Sequence, residues 1–270
     1  MSFSVLMSVY FKESPVFLRQ ALDSVLDQSL TPGQIVLVKD GPLPQYLNDV
    51  IDTYDREHQG LFKVIPIKKN GGLGPALNMG LKHCDFDLVA RMDSDDVAFR
   101  ERFKEQFQYM QKNNQVSAVG GWLAEFKSIP GDLNQTRKAP QTPLQVSRFS
   151  RKRNPMNHPS VMFRKKDIQR VGGYNAVRYF EDYHLWLKLL KKGFQLANIQ
   201  KELLYFRVGN DMIGRRSGYA YAKYEIRFLK RALREKLIGK SDFIKAVAIR
   251  FPLRLIPKSL LTFFYKIKLR

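Results

Sequence analysis

The alternation of short apolar runs with amphipathic stretches over the first hundred residues most constrains the fold of this chain. The predicted strands cover residues 4–9, 35–38, 62–67 and 88–90, and the predicted helices between them cover residues 14–28, 45–58 and 75–82. Because parallel neighbours need a crossover connection, this alternation predicts an α/β fold with a mostly parallel central sheet flanked by helices. Ligands of such sheets bind at the carboxyl ends of the strands.

The remainder of the chain is less regular. The predicted helices there cover residues 100–112 and 181–191, the predicted strands cover 116–126, 161–163 and 203–206, and a loop is predicted at 130–143. From Tyr219 onward the pattern indicates basic helices that are broken at Gly239, Pro252 and Pro257.

The charge of the chain is strongly positive and unevenly distributed. Its 270 residues include 46 Lys and Arg against 25 Asp and Glu, which gives a net charge of +21. Residues 226–270 hold 13 of the basic residues but two of the acids, so this segment carries about half of the excess. Such a field attracts polyanions, among them nucleic acid, anionic lipid and phosphorylated substrates.

Cys84 is the single cysteine, so a disulfide framework is excluded and a reducing cytoplasm is the expected setting. Cys84 itself is expected to be an inert helix residue. No secretory signal is expected, because no basic segment followed by an apolar one precedes the first predicted strand. No transmembrane helix is expected, because no run of about 18 apolar residues is free of charges.

Two motifs follow the second and third predicted strands, where an α/β protein places its ligand. Asp40 and Gly41 come directly after the second strand. The Asp40 carboxylate either accepts a hydrogen bond from a uracil or a ribose, or belongs to an ordinary turn. A glycine-rich turn at residues 70–75 opens the next helix, where the backbone can approach a phosphate closely.

Two acidic motifs follow further along the chain. Asp93, Asp95 and Asp96 come after the fourth strand; such a cluster is either solvated or holds a cation. Hard divalent ions bind through one or two carboxylates plus substrate phosphates, so the position favours a metal. Glu181 and Asp182 begin the helix at 181–191, where they either offset the helix dipole or supply a general base.

In order and spacing these motifs resemble glycosyltransferase family 2, the inverting enzymes with the GT-A fold, from residue 4 to residue 216. The matching stretches are residues 4–10, 38–41, 70–74, 93–96 and 181–186. Residues 12–15, 40–42 and 215–218 are similar, more narrowly, to bacterial enzymes that build exopolysaccharide, capsule or lipopolysaccharide.

The resemblance implies an organisation in domains. A GT-A catalytic domain is expected at 1–215, with a nucleotide-binding half at 1–98 and an acceptor-binding half at 99–215. A basic helical region follows at 216–270.

The resemblance also implies a reaction. A hexose or an N-acetylhexosamine would pass from a UDP-sugar to a saccharide acceptor, with Mn²⁺ or Mg²⁺ as the cofactor and Asp182 as the general base. Asp95 would bind the metal, and Asp93 the metal or the donor. The implied donor-binding residues are Val9, Tyr10, Glu13, Asp40, Asn70, Gly71, Asp93, Arg207, Arg215 and Arg216. The implied acceptor-binding residues are Glu181, His158 and Trp186; His158 is otherwise a turn histidine, and Trp186 a core or pocket-wall residue.

Two positions depart from the family pattern. Leu77 stands where members often carry an arginine, and Gly209 stands where some members carry a histidine metal ligand. Either Asp95 is then the one protein ligand of the metal, or His158 or Asp211 replaces the histidine. Arg215 and Arg216 are candidates for the missing positive charge beside the diphosphate.

Residues 251–268 mix large apolar side chains with cations, which is typical of a helix on an anionic membrane. The alternative is a helical tail packed on the catalytic domain with a solvated basic face. We expect residues after about Gly239 to contact the cytoplasmic face of the inner membrane, away from the catalytic centre. A lipid-diphosphate-linked acceptor fits that location.

Two other functions fit parts of the sequence. A sugar-nucleotide nucleotidyltransferase also uses an α/β sheet and acidic metal ligands, but it usually carries a glycine-rich, basic loop after the first strand, where this chain has residues 10–14. A non-enzymatic nucleic-acid binder explains the charge but leaves the acidic motifs unexplained, because carboxylates repel phosphate. Nucleic acid is therefore not expected as a partner.

Overall fold

The computed structural model describes residues 2–209, 214 and 217–256, which form one mixed sheet with helices on both faces. The strands are β1 (Ser4–Val9), β2 (Gln34–Lys39), β3 (Phe62–Pro66), β4 (Leu88–Asp93), β5 (Val97–Ala98), β6 (Val116–Phe126), β7 (Gln135–Arg137), β8 (Met162–Arg164) and β9 (Gln195–Arg207). The helices are α1 (Pro15–Leu26), α2 (Gln45–Glu57), α3 (Leu73–Lys82), α4 (Arg102–Lys112), α5 (Pro143–Ser150), α6 (Lys165–Arg170), α7 (Glu181–Lys191), α8 (Gly218–Arg234) and α9 (Lys240–Leu255). The predicted α/β fold is confirmed.

The first half of the sheet is parallel, as the alternation of strands and helices predicts. The strand order is β3-β2-β1-β4, and each neighbouring pair is parallel. The chain moves outward from β1 to β2 and β3, then returns to the other side of β1 for β4. The strand order therefore reverses beside β1, and a ligand crevice is expected at the carboxyl ends of β1, β2 and β4.

The second half of the sheet is mostly antiparallel and departs from the prediction at β9, at β7 and at the unpredicted two-residue strand β5. β8 joins β4, and the sheet continues through β6, β9 and β5. β9 begins at Gln195 rather than at residue 203, and β7 lies inside the predicted loop at 130–143, paired with β6. The three residues of β7 are polar and half-buried. They show no alternation of apolar and polar residues from which a strand could be predicted.

The central strands point alternate side chains into two cores. Met7 and Leu37 pack with α1, α2 and α4 on one face of the sheet, whereas Leu6 and Val38 pack with α3 and α7 on the other. A Cβ built on Gly80 of α3 would approach side-chain atoms of Leu6 and Val38 to 2.4 and 2.6 Å. Glycine at this position therefore lets α3 pack tightly against β1 and β2. Cys84 is buried just beyond the end of α3.

Helices α8 and α9 pack against the first turns of α7. A third core joins the three helices, and within it the rings of Phe180 and Phe228 stack with centroids 4.7 Å apart. Gly239 is the N-cap of α9, so a break there is confirmed. The predicted break at Pro252 is wrong: α9 continues through it to Leu255, because a proline near a helix end removes only one backbone hydrogen bond. Pro257 lies outside the described residues.

No helix among the described residues has the length and apolar character needed to cross a membrane.

A buried ion-pair cluster holds α9 on α8. Glu225 of α8 is 3% exposed, and its carboxylate accepts hydrogen bonds from Arg250 Nη1 at 3.0 Å and Arg254 Nε at 2.8 Å. Both arginine side chains are themselves largely buried, at 17% and 14% exposed. The two guanidinium groups therefore depend on this carboxylate for their charge balance.

We expect Glu225→Ala to lower the free energy of unfolding by about 3–5 kcal/mol, as is typical when one partner of a buried ion pair is removed. Two mostly buried cations would be left without their carboxylate. Urea unfolding measures the change, and Glu57→Ala at the exposed end of α2 is the matched control, expected within about 0.5 kcal/mol of wild type. Equal, small effects of both changes would show that Glu225 does not anchor α9.

Candidate active site

The carboxylates of Asp93, Asp95 and Asp96 meet at the end of β4. Each offers an oxygen within 4.8 Å of the others. Asp93 forms a two-bond ion pair with buried Arg91, whose Nη1 donates to Oδ2 at 2.6 Å and whose Nη2 donates to Oδ1. Asp96 is fully buried; its Oδ1 accepts from the backbone N–H of Arg207 at 2.8 Å, and its Oδ2 has no hydrogen-bond partner among the described residues.

Burial and mutual repulsion oppose full ionisation of this cluster. Burial is the main cause that raises the pKa of Asp95 to about 7, followed by the charges of Asp93 and Glu13. Burial also raises the pKa of Asp96 well above its ordinary value, with the neighbouring carboxylates adding to the effect. A hard divalent cation would remove the repulsion and give the Asp96 Oδ2 a partner, so these oxygen donors fit such an ion.

Arg207 connects the acidic cluster to β9 and α1. Its Nε donates to the backbone oxygen of Asp95 at 2.8 Å, and its Nη2 donates to Gln20 Oε1 at 2.6 Å. The guanidinium lies between the rings of Phe17 and Phe126, at 3.8 and 4.3 Å from their centroids. Arg207 is thus adjacent to the cluster, with its position fixed from three elements.

Asp40 joins the end of β2 to the glycine-rich turn before α3. Its two carboxylate oxygens accept hydrogen bonds from the backbone N–H groups of Gly71 and Gly72, at 2.8 and 3.0 Å. Asn70 Nδ2 donates to the Asp40 backbone oxygen at 3.0 Å. These contacts correspond to the alternative interpretation of Asp40 as a turn residue, and they occupy the Gly71 N–H that was expected to face a phosphate.

The residues after β1 lie next to Asp40. Val9 is buried, and its backbone oxygen accepts from the Asp40 N–H at 2.8 Å, whereas the Tyr10 side chain is exposed. Glu13 accepts from Ser14 N at 2.8 Å and from Ser94 Oγ at 2.5 Å, and burial raises its pKa. The structure therefore brings the predicted donor residues of β1, β2 and β4 to one edge of the sheet.

Glu181 and Asp182 lie in the first turn of α7. Asp182 Oδ2 accepts from Asn154 Nδ2 at 2.6 Å, and Oδ1 accepts from its neighbour's backbone, Tyr183 N, at 2.7 Å. Burial raises the pKa of Glu181 to about 7, and the charge of Asp182 contributes in the same direction. A Cβ built on Gly74 would lie 3.2 Å from Glu181 Cγ, so α7 begins in close contact with the start of α3.

His158 and Trp186 are both buried, but they relate differently to the site. His158 Nε2 lies 2.8 Å from Tyr174 Oη, and its ring meets Trp186 edge-on with centroids 6.0 Å apart. Trp186 is fully buried in the core beneath His158. The expected direct contact of Trp186 with an acceptor is therefore excluded in this geometry, because the indole has no exposed surface.

A cavity of about 1110 Å³ connects these residues. Asp93, His158, Glu181 and Asp182 all line it, together with the end of α5, the turn after it and one side of α9. The contribution of α9 differs from the expectation that residues after Gly239 stay away from the site. Sequence reasoning also missed the wall formed by α5 and its turn, although the consecutive basic residues 151–153 were a visible signal.

The structure tests only part of the alternatives for the missing metal ligand and for the missing positive charge. Among the described residues, the candidate metal cluster consists of the three Asp93–Asp96 carboxylates and does not include His158. Asp211, Arg215 and Arg216 lie outside the described residues.

Comparisons with known proteins identify relatives of this chain. The model of glycosyl transferase family 2 matches residues 4–219. The chain is 40% identical over 264 residues to UDP-Gal:alpha-D-GlcNAc-diphosphoundecaprenol beta-1,3-galactosyltransferase of Escherichia coli, covering 98% of this chain and 95% of that protein. It is 37% identical over 264 residues to the amylovoran biosynthesis glycosyltransferase AmsE of Erwinia amylovora, covering 98% of each.

A solved structure shows the same fold. The mannosyltransferase PcManGT of Pyrobaculum calidifontis, in complex with GDP-Man and Mn²⁺, superposes with a TM-score of 0.66 at 16% identity. The match covers 98% of this chain and 75% of that one.

We expect His158 to remain neutral at pH 6, below the ordinary imidazole pKa of about 6.5. Burial, followed by the charge of Arg91, holds the pKa of His158 well below that value. The unfolded chain binds a proton there that the folded protein does not, so stability present above about pH 6.5 is lost as the pH falls. Histidine-selective NMR, with His158→Gln for assignment, checks the protonation state; an imidazolium signal at pH 6 would contradict it.

Proposed function

This chain belongs to glycosyltransferase family 2, and we propose that it transfers a hexose or an N-acetylhexosamine from a UDP-sugar to a lipid-diphosphate-linked saccharide. The observation that carries the proposal is the cavity that Asp93 of the acidic cluster and Asp182 of α7 both line. The E. coli relative supports the choice of substrates, since its name gives UDP-Gal and a GlcNAc-diphosphoundecaprenol. The Erwinia relative, named for amylovoran biosynthesis, supports a place in surface polysaccharide synthesis.

The donor is proposed to bind at the carboxyl ends of β1, β2 and β4. Tyr10 and Asp40 are proposed to hold the uracil and ribose, with the Asp40 carboxylate also bonded to the turn before α3, and Glu13 would order the segment after β1 through Ser14 and Ser94. Asp95 and Asp93 would hold Mn²⁺ or Mg²⁺ beside the donor diphosphate. When bound, such an ion neutralises charge on the diphosphate as it departs.

Asp182 is proposed as the general base. Its carboxylate would take the proton from an acceptor hydroxyl while that oxygen attacks the anomeric carbon of the donor sugar. The bond from this carbon to the diphosphate oxygen breaks, the electron pair leaves with UDP, and attack from the opposite face inverts the configuration. The hydrogen bonds from Asn154 and Tyr183 fix the orientation of the carboxylate before the reaction.

We also propose that the protein lies on the cytoplasmic face of the inner membrane, where a lipid-linked acceptor is found. The side of α9 away from the cavity supports this, because it exposes the apolar residues Ile244 and Leu255 together with Lys240. Basic residues beside anionic lipid contribute about 1 kcal/mol each. Residues 257–270, which continue the basic and apolar pattern, lie outside the described residues.

We expect Asp95→Asn to weaken UDP binding in the presence of Mn²⁺ at least about tenfold, or about 1.4 kcal/mol. The amide removes the charge that attracts the ion. Isothermal calorimetry with UDP and Mn²⁺ measures the affinity, and Asp55→Asn on the exposed side of α2 is the control. Wild-type protein that binds UDP equally well in EDTA would refute the role of the metal.

We expect Asp182→Asn to bind the UDP-sugar normally but to lose at least about a hundredfold in turnover, the lower end of a typical general-base contribution. The amide is nearly isosteric and leaves the ends of β1, β2 and β4 unchanged, but it cannot accept the proton. Steady-state kinetics separates the two effects, since a loss confined to kcat identifies a transition-state role.

Glu181→Gln is the matched neighbour, because it removes a carboxylate from the same turn of α7. If Glu181→Gln abolishes transfer and Asp182→Asn does not, Glu181 is the base. If neither change lowers kcat, the two acids only begin the helix.

A further inference from the structure

The cavity beside Asp182 has a strongly basic wall. Among its lining residues, Arg and Lys outnumber Asp and Glu by about two to one. Several of these cations already have carboxylate partners: Arg91 pairs with Asp93, and Arg137 pairs with Glu125. Arg250 and Arg254 both pair with Glu225. They balance charges inside the protein and are not available for a ligand.

The remaining cations concentrate on α5, the turn that follows it, and α9. Arg148, Arg151, Lys152 and Lys245 are exposed and line the cavity, and we call this set the basic rim. No carboxylate of the described residues lies within salt-bridge distance of any of the four. Asp242 on α9 is a single acid on the same wall. Cations grouped in this way raise the local concentration of anions, and a cavity wall focuses the effect.

The backbone beneath the basic rim is fixed at three points. Tyr183 Oη donates to the Ser150 backbone oxygen at 2.5 Å, and the Arg250 guanidinium donates to the backbone oxygen of Lys152. Asn154 Nδ2 donates to Asp182 at 2.6 Å. The segment that carries Arg151 and Lys152 is therefore held at a constant position relative to Asp182, so little ordering is required when a ligand binds.

We propose that the basic rim binds the diphosphate of the acceptor and so places the acceptor sugar at Asp182. This inference rests on the proposed function. Each phosphate of a sugar–diphosphate–lipid carries a negative charge, and two adjacent phosphates match a row of Arg and Lys side chains. The sugar that such a diphosphate carries would lie beside the carboxylate proposed to receive its proton.

The donor diphosphate does not explain the basic rim. The donor is proposed to bind at the carboxyl ends of β1, β2 and β4, where Arg91 and Arg207 adjoin the acidic cluster. The basic rim instead belongs to α5, its turn and α9, and the turn is hydrogen-bonded to Asp182. A neutral saccharide acceptor would need no such cations.

The test compares two soluble acceptors that carry the same sugar. In one, N-acetylglucosamine is joined through a diphosphate to an undecyl chain; in the other it is joined to the same chain directly. With UDP-Gal as donor, the double variant R151Q/K152Q should lower the ratio of kcat/KM for the diphosphate acceptor to that for the uncharged one at least about tenfold. The loss should appear as a raised KM for the diphosphate acceptor, and added salt should reproduce it in the wild type.

Lys230→Gln with Arg234→Gln, on the exposed side of α8, is the matched control for the loss of two positive charges. It should leave the ratio unchanged. Lys245→Gln tests the basic rim independently from α9, and thermal unfolding verifies that each variant is folded. If the ratio of the two kcat/KM values is unchanged in both R151Q/K152Q and Lys245→Gln, the inference is overturned while the proposed function stays intact. Equal use of both acceptors by the wild type would have the same consequence.

Two further measurements distinguish the remaining outcomes. If the wild type transfers no sugar from any UDP-sugar, the proposed function fails. Calorimetric binding of the diphosphate acceptor alone then decides the inference. Loss of binding in R151Q/K152Q supports it, and equal binding overturns it. Flotation with phosphatidylglycerol vesicles tests the other source of lipid phosphate. A variant that loses vesicle binding but keeps its KM for the diphosphate acceptor would show that the basic rim contacts the bilayer instead.

Discussion

The crowding of three carboxylates at the end of β4 is the constraint around which the rest of the structure is arranged. Asp93, Asp95 and Asp96 lie close together, and burial and mutual repulsion raise the pKa values of Asp95 and Asp96. Arg91 compensates for them from within β4, and Arg207 does so from β9. β9 must therefore run past the end of β4, and its 13 residues, parallel to β6, provide that reach. The cluster thus joins the two halves of the sheet.

The second acidic pair, Glu181 and Asp182, is positioned by packing and by hydrogen bonds of its helix turn. α7 begins against α3 near Gly74, and its first turn is tied to the turn after α5 through Asn154 and Tyr183. The stacked rings of Phe180 and Phe228 fix the same turn from the side of α8. Asp93 of the acidic cluster and both acids of α7 thereby face one cavity from rigid elements, as a transfer between two bound substrates requires.

Local patterns in the sequence predict the first half of the fold well, because each strand and helix there has a clear apolar period. They also place the acidic motifs at strand and helix ends, and α7 at residues 181–191, where the structure has it. What they miss depends on long-range contacts. The polar strand β7 forms only through its pairing with β6. Trp186 is buried because it lies on the side of α7 that faces the core. The oxygens of Asp40 are occupied by a turn about thirty residues away.

The tail shows the same limit of local information. Apolar residues mixed with cations indicate a surface that needs a partner, but they do not distinguish a bilayer from another helix. In the structure α9 packs on α8, where Ala246 is buried, while Ile244 and Ile249 are exposed. One buried carboxylate, Glu225, decides which side of α9 faces inward.

The position of α9 places it on the cavity wall and apart from the acidic cluster. Within the described residues, α9 contributes Lys245 and Ile249 to the cavity wall but nothing to the strand ends where the acidic cluster lies. Substitutions on this helix can therefore reshape the space opposite the cluster without disturbing it. A protein built on this plan can keep the chemistry of its acidic cluster while substitutions on α9 change which molecule fits against the opposite wall.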